Sequence, residues 1–596
     1  MSISQLPLWS TGGLYKDLED PRLLSDLGNL EILAQSQIAL LKVLPSQGNE
    51  LPWLQQLFSL LNQGSDLAEH LSSFAYMMFS IDTANPQATK LLGRVEELSQ
   101  GLKSAEVWFR QGVKTLSQGD PQWLLQFPGF EAYALEWSEA AILAGKQMSL
   151  AEEELYNDLS RSGGEAWSRL QGSVSSQLSV VWDSHTGEEK TLVELRALAY
   201  DKDRGVRKKA YDLELQAWKT VEIPLAAALN GVKGFADTGL RRRGWDSALE
   251  KAAFQARLSP GALDSLILSI EKKLPLFHSY LKDKARLLGI PACGFYDLFA
   301  PVGEEKTSWT WETTQSFILK QFEAFSPRMG AFGEKNFKEN WIHAPSMKGK
   351  VGGAYCTSLP LAGETRILLN FDGSFGEVRT LAHELGHGYH FEVMKDLPAL
   401  QRMYPMTLAE TASIFSETLI FEKAMEQAQG EEELFLLEQR LSDVTQVLVD
   451  ILSRFYFEKA VMEKRREGEL SSGEFSQLMI SAQKAAYGEG LDPDQLHPYM
   501  WAVKGHYYSP EMGFYNFPYA FGQLFSLGLY GVYREMGPAF ASHYDSILMK
   551  TGTLTCNTLA LELGYNLENE DFWNRGLEEI ASQIQKFHQL IEERTR

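Results

Sequence analysis

Two histidines four residues apart, with a glutamate after the first, stand in the run Leu381-Ala-His-Glu-Leu-Gly-His-Gly-Tyr-His390. On a helix, positions four apart share a face with Cβ atoms about 5 to 6 Å from one another. His383 and His387 can therefore point at one cation while Glu384 reaches a water beside it. That is half of a zinc site, and the chemistry such a set performs is hydrolysis of a peptide bond with Glu384 as general base. A short pattern with three fixed positions also arises by chance, so its surroundings decide what it means.

The spacing matters only if the segment is helical. Ser374 and Glu377 form a Ser-x-x-Glu capping signal just upstream. Phe375, Val378, Ala382, Leu385 and Tyr389 then recur at three- and four-residue intervals, leaving Thr380, His383, His387 and His390 on another stripe. A helix over roughly 374–395 is expected.

A hydrolytic zinc site of this kind takes a third protein ligand and keeps one position for water. His390 is seven residues after His383, about 10 Å along the helix axis, and is too far to join both histidines. A histidine ten residues after the first would complete a different arrangement, but that position is Val393. The stretch Thr407-Leu-Ala-Glu-Thr-Ala-Ser-Ile-Phe-Ser-Glu417 offers Glu410. Thr407 and Glu410 also read as a capping box, so Glu410 alone would be a helix-start carboxylate. Taken with the upstream pair, and with Glu417 two turns later as a hydrogen-bond partner for a histidine, Glu410 is the better third ligand. The set would be His-His-Glu, the gluzincin type, with one Zn2+ per chain.

The elements that position these residues are mostly helical. Amphipathic mixtures of Leu, Ala, Glu, Lys and Gln fill 23–44, 86–116, 191–231 and 431–467. The class expected is mainly α, in two lobes, because 596 residues exceed one ordinary core. The helical pattern breaks at 173–189 around a strand-like stretch, 178–182, which suggests an N-terminal helical lobe over 1–185 and a catalytic domain over 186–596. Just before the histidine pair, 351–357 and 365–371 read as two strands of a hairpin. Gly353, Ala354 and Tyr355 there either offer backbone to an extended peptide or simply support the helix.

Composition excludes several functions. Hydrophobic residues make up 44%, with 14 Trp, 22 Tyr and 32 Phe, enough for large cores. A net charge of −22 argues against nucleic acid or an anionic membrane as partner. No apolar run reaches membrane-spanning length, no secretory signal opens the chain, and Cys293, Cys356 and Cys556 are too few and scattered for a disulfide scaffold. A cytoplasmic protein is expected.

Together, Lys350-Val-Gly-Gly-Ala-Tyr-Cys356, Ile367-Leu-Leu-Asn370, Thr380-Leu-Ala-His-Glu-Leu-Gly-His387, Ala409-Glu-Thr-Ala-Ser413, His506-Tyr-Tyr508 and Phe514-Tyr-Asn-Phe-Pro-Tyr519 resemble oligoendopeptidase F and its thimet-oligopeptidase-like relatives. The resemblance implies a helical, two-lobed zincin with a deep channel, cleaving short unstructured oligopeptides. It implies zinc on His383, His387 and Glu410, and Glu384 as base. It places oxyanion donors at His506 and Tyr519, then Tyr515, with Tyr507, Tyr508 and Phe514 in the core. The interval from His506 to Tyr515 is stretched relative to the family pattern, and Phe517 stands where many relatives carry Tyr. Two other readings remain: a zinc metallocarboxypeptidase, and a peptide-binding relative without catalysis.

Overall fold

A computed structural model describes residues 6–595. The chain is 71% helical with only small sheets, in agreement with the mainly α expectation. It divides into two compact units, each assembled from three stretches. Among the described residues no helix is long and apolar enough to cross a membrane.

The first unit holds the described residues of Met1–Lys146, with Thr307–Gln427 and Leu529–Leu563. Its N-terminal helices start where short polar caps precede proline. Asp20 caps Pro21–Leu41 and Asn85 caps Pro86–Ser117, their side-chain oxygens accepting from amides of the first turn. Leu23 of the first helix, with Leu71 and Phe74 of the intervening helix Glu50–Ile81, packs with Leu359 and Leu368 from a small sheet. A second cluster gathers Leu54, Phe58 and Trp137.

That sheet lies beside the histidine helix. Tyr355–Leu359 pairs antiparallel with Glu364–Leu368, Tyr355 opposite Leu368, and Ile342–His343 adds in parallel on the other side. The hairpin is present, but its first strand begins at Tyr355, because 351–354 carry two glycines and turn instead of extending. The two-residue strand is too short to show any alternation in sequence. The helix itself runs Phe375–Met394 from an N-cap at Ser374, whose hydroxyl accepts from the Glu377 amide at 3.3 Å. The Glu377 side chain does not complete the capping box; one of its carboxylate oxygens is buried without a partner.

The second unit comprises Gln147–Lys306, Ala428–Gly528 and the described residues of Gly564–Arg596. The expected run 191–231 is a short helix, Leu192–Ala197, and a long one, Arg204–Arg242, each with its own cap at Thr191 and Asp203. Upstream, 173–189 holds the hairpin of Ser179–Asp183 with Glu188–Thr191, inside this unit. The run 431–467 is also interrupted: helices Glu431–Thr445 and Ile451–Arg465 flank one π-helical turn, Gln446–Asp450. Trp218, Leu225, Phe457, Phe475, Trp501 and Tyr508 form the centre of its core.

Candidate metal centre and its surroundings

The histidine helix lies along the helix Thr411–Gln427, and the approach is close because Gly386 sits at the crossing. A Cβ at Gly386 would stand 2.5 Å from the Ala412 carbonyl oxygen and 2.6 Å from Ser413 Cα. Gly388, on the far side of the same helix, leaves room for the Phe332 ring, whose Cζ a Cβ there would meet at 2.8 Å. The missing side chain at Gly386 thus lets the histidine pair face the next helix at backbone distance.

Glu410 occupies the junction between Met406–Ala409 and Thr411–Gln427, its backbone carbonyl accepting from the Ile414 amide at 3.1 Å. The capping alternative fails because Thr407 is buried within the short helix, its hydroxyl against the Cys556 thiol at 3.4 Å. Glu410 Oε2 instead lies 3.2 Å from His383 Nε2 and 3.5 Å from His387 Nε2. One ligand atom from each of these three residues falls within 4.8 Å of the others, the only such group of three or more metal-binding side chains among the described residues.

The remaining atoms of these residues are tied down. His383 Nδ1 faces Glu417 Oε2 at 3.4 Å, and Glu417 takes two hydrogen bonds from Arg379, one from Nε at 3.1 Å and one from Nη2. The backbone carbonyl of Ala409 accepts a hydrogen bond from the His387 ring, and Ser413 Oγ donates to Glu410 Oε2 at 2.8 Å. With the outer nitrogen of each ring engaged, both Nε2 atoms are left for a common target. Sequence reasoning missed Arg379 and Ser413. Arg379 is four residues before His383 on the same face, which is the signal that could have found it.

Charge within the cluster is uneven. Burial opposes a charge on His383, but hydrogen bonds to Glu410 and Glu417 outweigh it and raise the imidazole to about 10. His387, buried and beside His383, is lowered to about 4. Glu410 is buried too, yet the His383 hydrogen bond brings it down to about 2. Glu384 is pushed up to about 7 by burial, against the pull of His383 and the Cys356 amide. The surrounding carboxylates therefore favour positive charge where the Nε2 atoms converge.

Other expected residues are located as follows. His390 turns away, stacked on Tyr404 at 4.3 Å with its Nε2 2.8 Å from the Thr551 hydroxyl. Tyr355–Leu359 is an edge strand, and Gly352 and Gly353 before it are exposed, with open space where a Cβ would stand. Gly353 has φ +78°, a conformation natural to glycine, and its carbonyl is held by Asn370 Nδ2 at 2.8 Å. The Tyr355 hydroxyl pairs with that of Ser80 at 2.6 Å and its ring packs on Tyr76, so Tyr355 and Ala354 can offer only main chain there.

His506, Tyr515 and Tyr519 belong to the second unit. The His506 ring lies 4.4 Å from Tyr507 and 5.5 Å from Tyr515, and its Nε2 is buried without a protein partner. Burial, with Arg454 and Lys504 nearby, lowers it to about 3, so it is neutral at ordinary pH. The hydroxyls of Tyr515 and Tyr519 are 2.9 Å apart and share one hydrogen bond. Just before them Phe514 takes φ +54°, its amide held at 2.9 Å by Glu458, which pairs with Lys233. Tyr507, Tyr508 and Phe514 are core residues, as expected.

Comparison with known proteins agrees with the motifs. The model of peptidase family M3 matches residues 197–579. The chain belongs to peptidase family M3. A Bacillus subtilis (strain 168) protein named oligopeptidase PepF is 24% identical over 494 residues, spanning 81% of this chain and 72% of its own. Group B oligopeptidase PepB of Streptococcus agalactiae serotype III (strain NEM316) is also 24% identical, over 80% of each chain. The fold matches the crystal structure of oligoendopeptidase-F from Enterococcus faecium with a TM-score of 0.69 at 17% identity, over 96% of this chain and 98% of that one. A peptidase crystal structure from Chlamydophila abortus matches at 0.83 and 20% identity, over 99% of both. M3 membership makes this chain a member of a peptidase family with a mainly α fold.

Proposed function

We propose that this chain is a zinc endopeptidase that hydrolyses short, unstructured oligopeptides in the cytoplasm. The observation that carries the reading is the convergence of His383 Nε2, His387 Nε2 and Glu410 Oε2 with both outer ring nitrogens already engaged. Two imidazoles and one carboxylate are a fitting donor set for Zn2+, which when bound would displace the His383 proton, polarise the scissile carbonyl and acidify an attacking water.

Glu384 takes the proton from that water and delivers it to the leaving amine. Its elevated proton affinity, about 7, suits a group that must both accept and release a proton near neutrality. The Cys356 amide orients it from the neighbouring strand. His383, His387 and Glu410 hold the metal, and Glu417 with Arg379 keeps the His383 ring in place. The edge of Tyr355–Leu359, with Gly353 and Ala354 ahead of it, receives the substrate backbone as an added strand. His506 and the coupled Tyr515 and Tyr519 hydroxyls donate to the oxyanion; because those hydroxyls share a hydrogen bond, they serve as one donor pair.

The names of the PepF and PepB relatives support oligopeptides as substrates. Metal analysis beside cleavage of a peptide blocked at both ends tests the proposal. About one zinc per chain and internal cleavage that chelator abolishes are expected. Cleavage only of peptides with a free C-terminus would replace the endopeptidase reading by a carboxypeptidase one.

A further inference from the structure

The second unit contains a cavity of about 600 Å³ that none of these roles uses. That is the size of an ordinary small-ligand site. One wall is aromatic: Tyr200 and Phe299 stack at 5.0 Å, Tyr200 largely exposed at the mouth, and Tyr211, Phe295 and Tyr296 continue inward. The opposite wall is polar. Glu214 there is already satisfied, by Arg196 at 2.8 Å and Trp218 Nε1 at 3.2 Å.

Three groups lining the cavity have unmet polar atoms. His497 is 1% exposed, its backbone fixed by Gln483 and its Nε2 facing Glu214 Oε1 at 3.4 Å, but its Nδ1 has no partner, and neither does Arg207 Nε. Lys504 lines the cavity, and no carboxylate among the described residues forms an ion pair with its ammonium; Asp450 and Glu214 act on it only at longer range. Burial holds that ammonium down to about 8, which marks it as a cation short of solvent and counter-ion. Gln446 of the π-helical turn completes the polar side, with Val447 of the same turn adding an apolar contact, and π-turns are frequent at ligand sites.

We infer that this cavity binds a small aromatic monocarboxylate of amino-acid or dipeptide size, its carboxylate on Lys504 and its ring among Tyr200, Phe299 and Tyr211. A monoanion fits better than a phosphate dianion because Glu214 and Asp443 also face the space. This is the chemistry of a released peptide C-terminus, although the binding itself does not rest on the metal reading. Lys504 begins the turn Gly505–Tyr508 that carries His506, so an occupant would neutralise a charge two residues from that ring.

N-acetyl-L-phenylalanine and its amide, titrated calorimetrically into the full-length enzyme, test the site. The acid should bind with Kd on the order of 1 mM and the amide at least roughly tenfold more weakly. Lys504→Gln should abolish that preference, and Tyr200→Ala, at an exposed position that leaves folding intact, should weaken both probes. Binding should persist after chelation and in Glu384→Gln, which separates this site from the metal centre. Equal binding of acid and amide, no binding of either, an unchanged preference in Lys504→Gln, or loss of binding on chelation would each overturn the inference.

Discussion

Replacing Gly386 with alanine perturbs the metal centre without touching a ligand. The new Cβ would stand 2.5 Å from the Ala412 carbonyl oxygen, about 0.9 Å short of the 3.4 Å at which ordinary contact begins, with Ser416 Oγ at 2.7 Å as a further obstacle. Two of the three nearest atoms are backbone of the helix junction that carries Glu410, so relief requires the helices to part. Overpacking of this kind costs about 1 to 3 kcal/mol, against a gain of about 1 kcal/mol from exchanging glycine for alanine inside a helix. A separation of even half the overlap exceeds the roughly 0.2 Å tolerance of metal–ligand distances. Gly386→Ala should therefore lower the melting temperature and weaken zinc roughly 10- to 100-fold in a competition titration against a fluorescent chelator. A variant that is more stable than the parent, with unchanged zinc affinity, would refute the close-approach reasoning.

Glu417→Gln keeps the shape of the His383 partner but removes its charge; zinc affinity should fall by roughly tenfold in the same titration, and an unchanged value would remove Glu417 from the support of His383. Glu410→Ala should cost far more, leaving purified protein with substoichiometric zinc by elemental analysis, whereas full occupancy would exclude Glu410 as a ligand. His343 is 4% exposed, takes a 2.9 Å hydrogen bond from Lys350 Nζ and, mainly through burial, is lowered to about 4. The unfolded chain, with histidine near 6.5, binds that proton first, so stability should decline as pH falls from about 6.5 to 4, by up to about 3 kcal/mol. Denaturant unfolding across that range should show a shallower decline in His343→Gln; identical slopes would exclude His343 as the source.

Much of the metal centre was legible because its signals are local. The capped helical stripe around His383 and His387, and the exclusion of His390 and Val393 by axial distance, depend only on spacing along one helix. Glu410 needed a second segment, and its rival role as a helix cap could be removed only by seeing Thr407 buried and Glu410 placed between two helices. Arg379 and Gly386 were legible in principle but not in weight, since what Arg379 pairs with and how closely Gly386 meets Ala412 are tertiary facts. The hairpin was shifted because Gly352 and Gly353 turn the chain before Tyr355, and the strand Ile342–His343 is shorter than any period can reveal. The shared hydrogen bond of Tyr515 and Tyr519 follows from residues i and i+4 meeting across a loop-to-helix junction, where the preceding loop geometry was not readable.

Zinc content and turnover measured side by side on the parent and Glu384→Gln test the central claim most directly. The substitution leaves His383, His387 and Glu410 intact and removes the proton acceptor, so about one zinc per chain should persist while kcat on a doubly blocked oligopeptide falls by roughly 100- to 10,000-fold. Full zinc together with parental kcat would contradict the role of Glu384 and the hydrolytic site built around it.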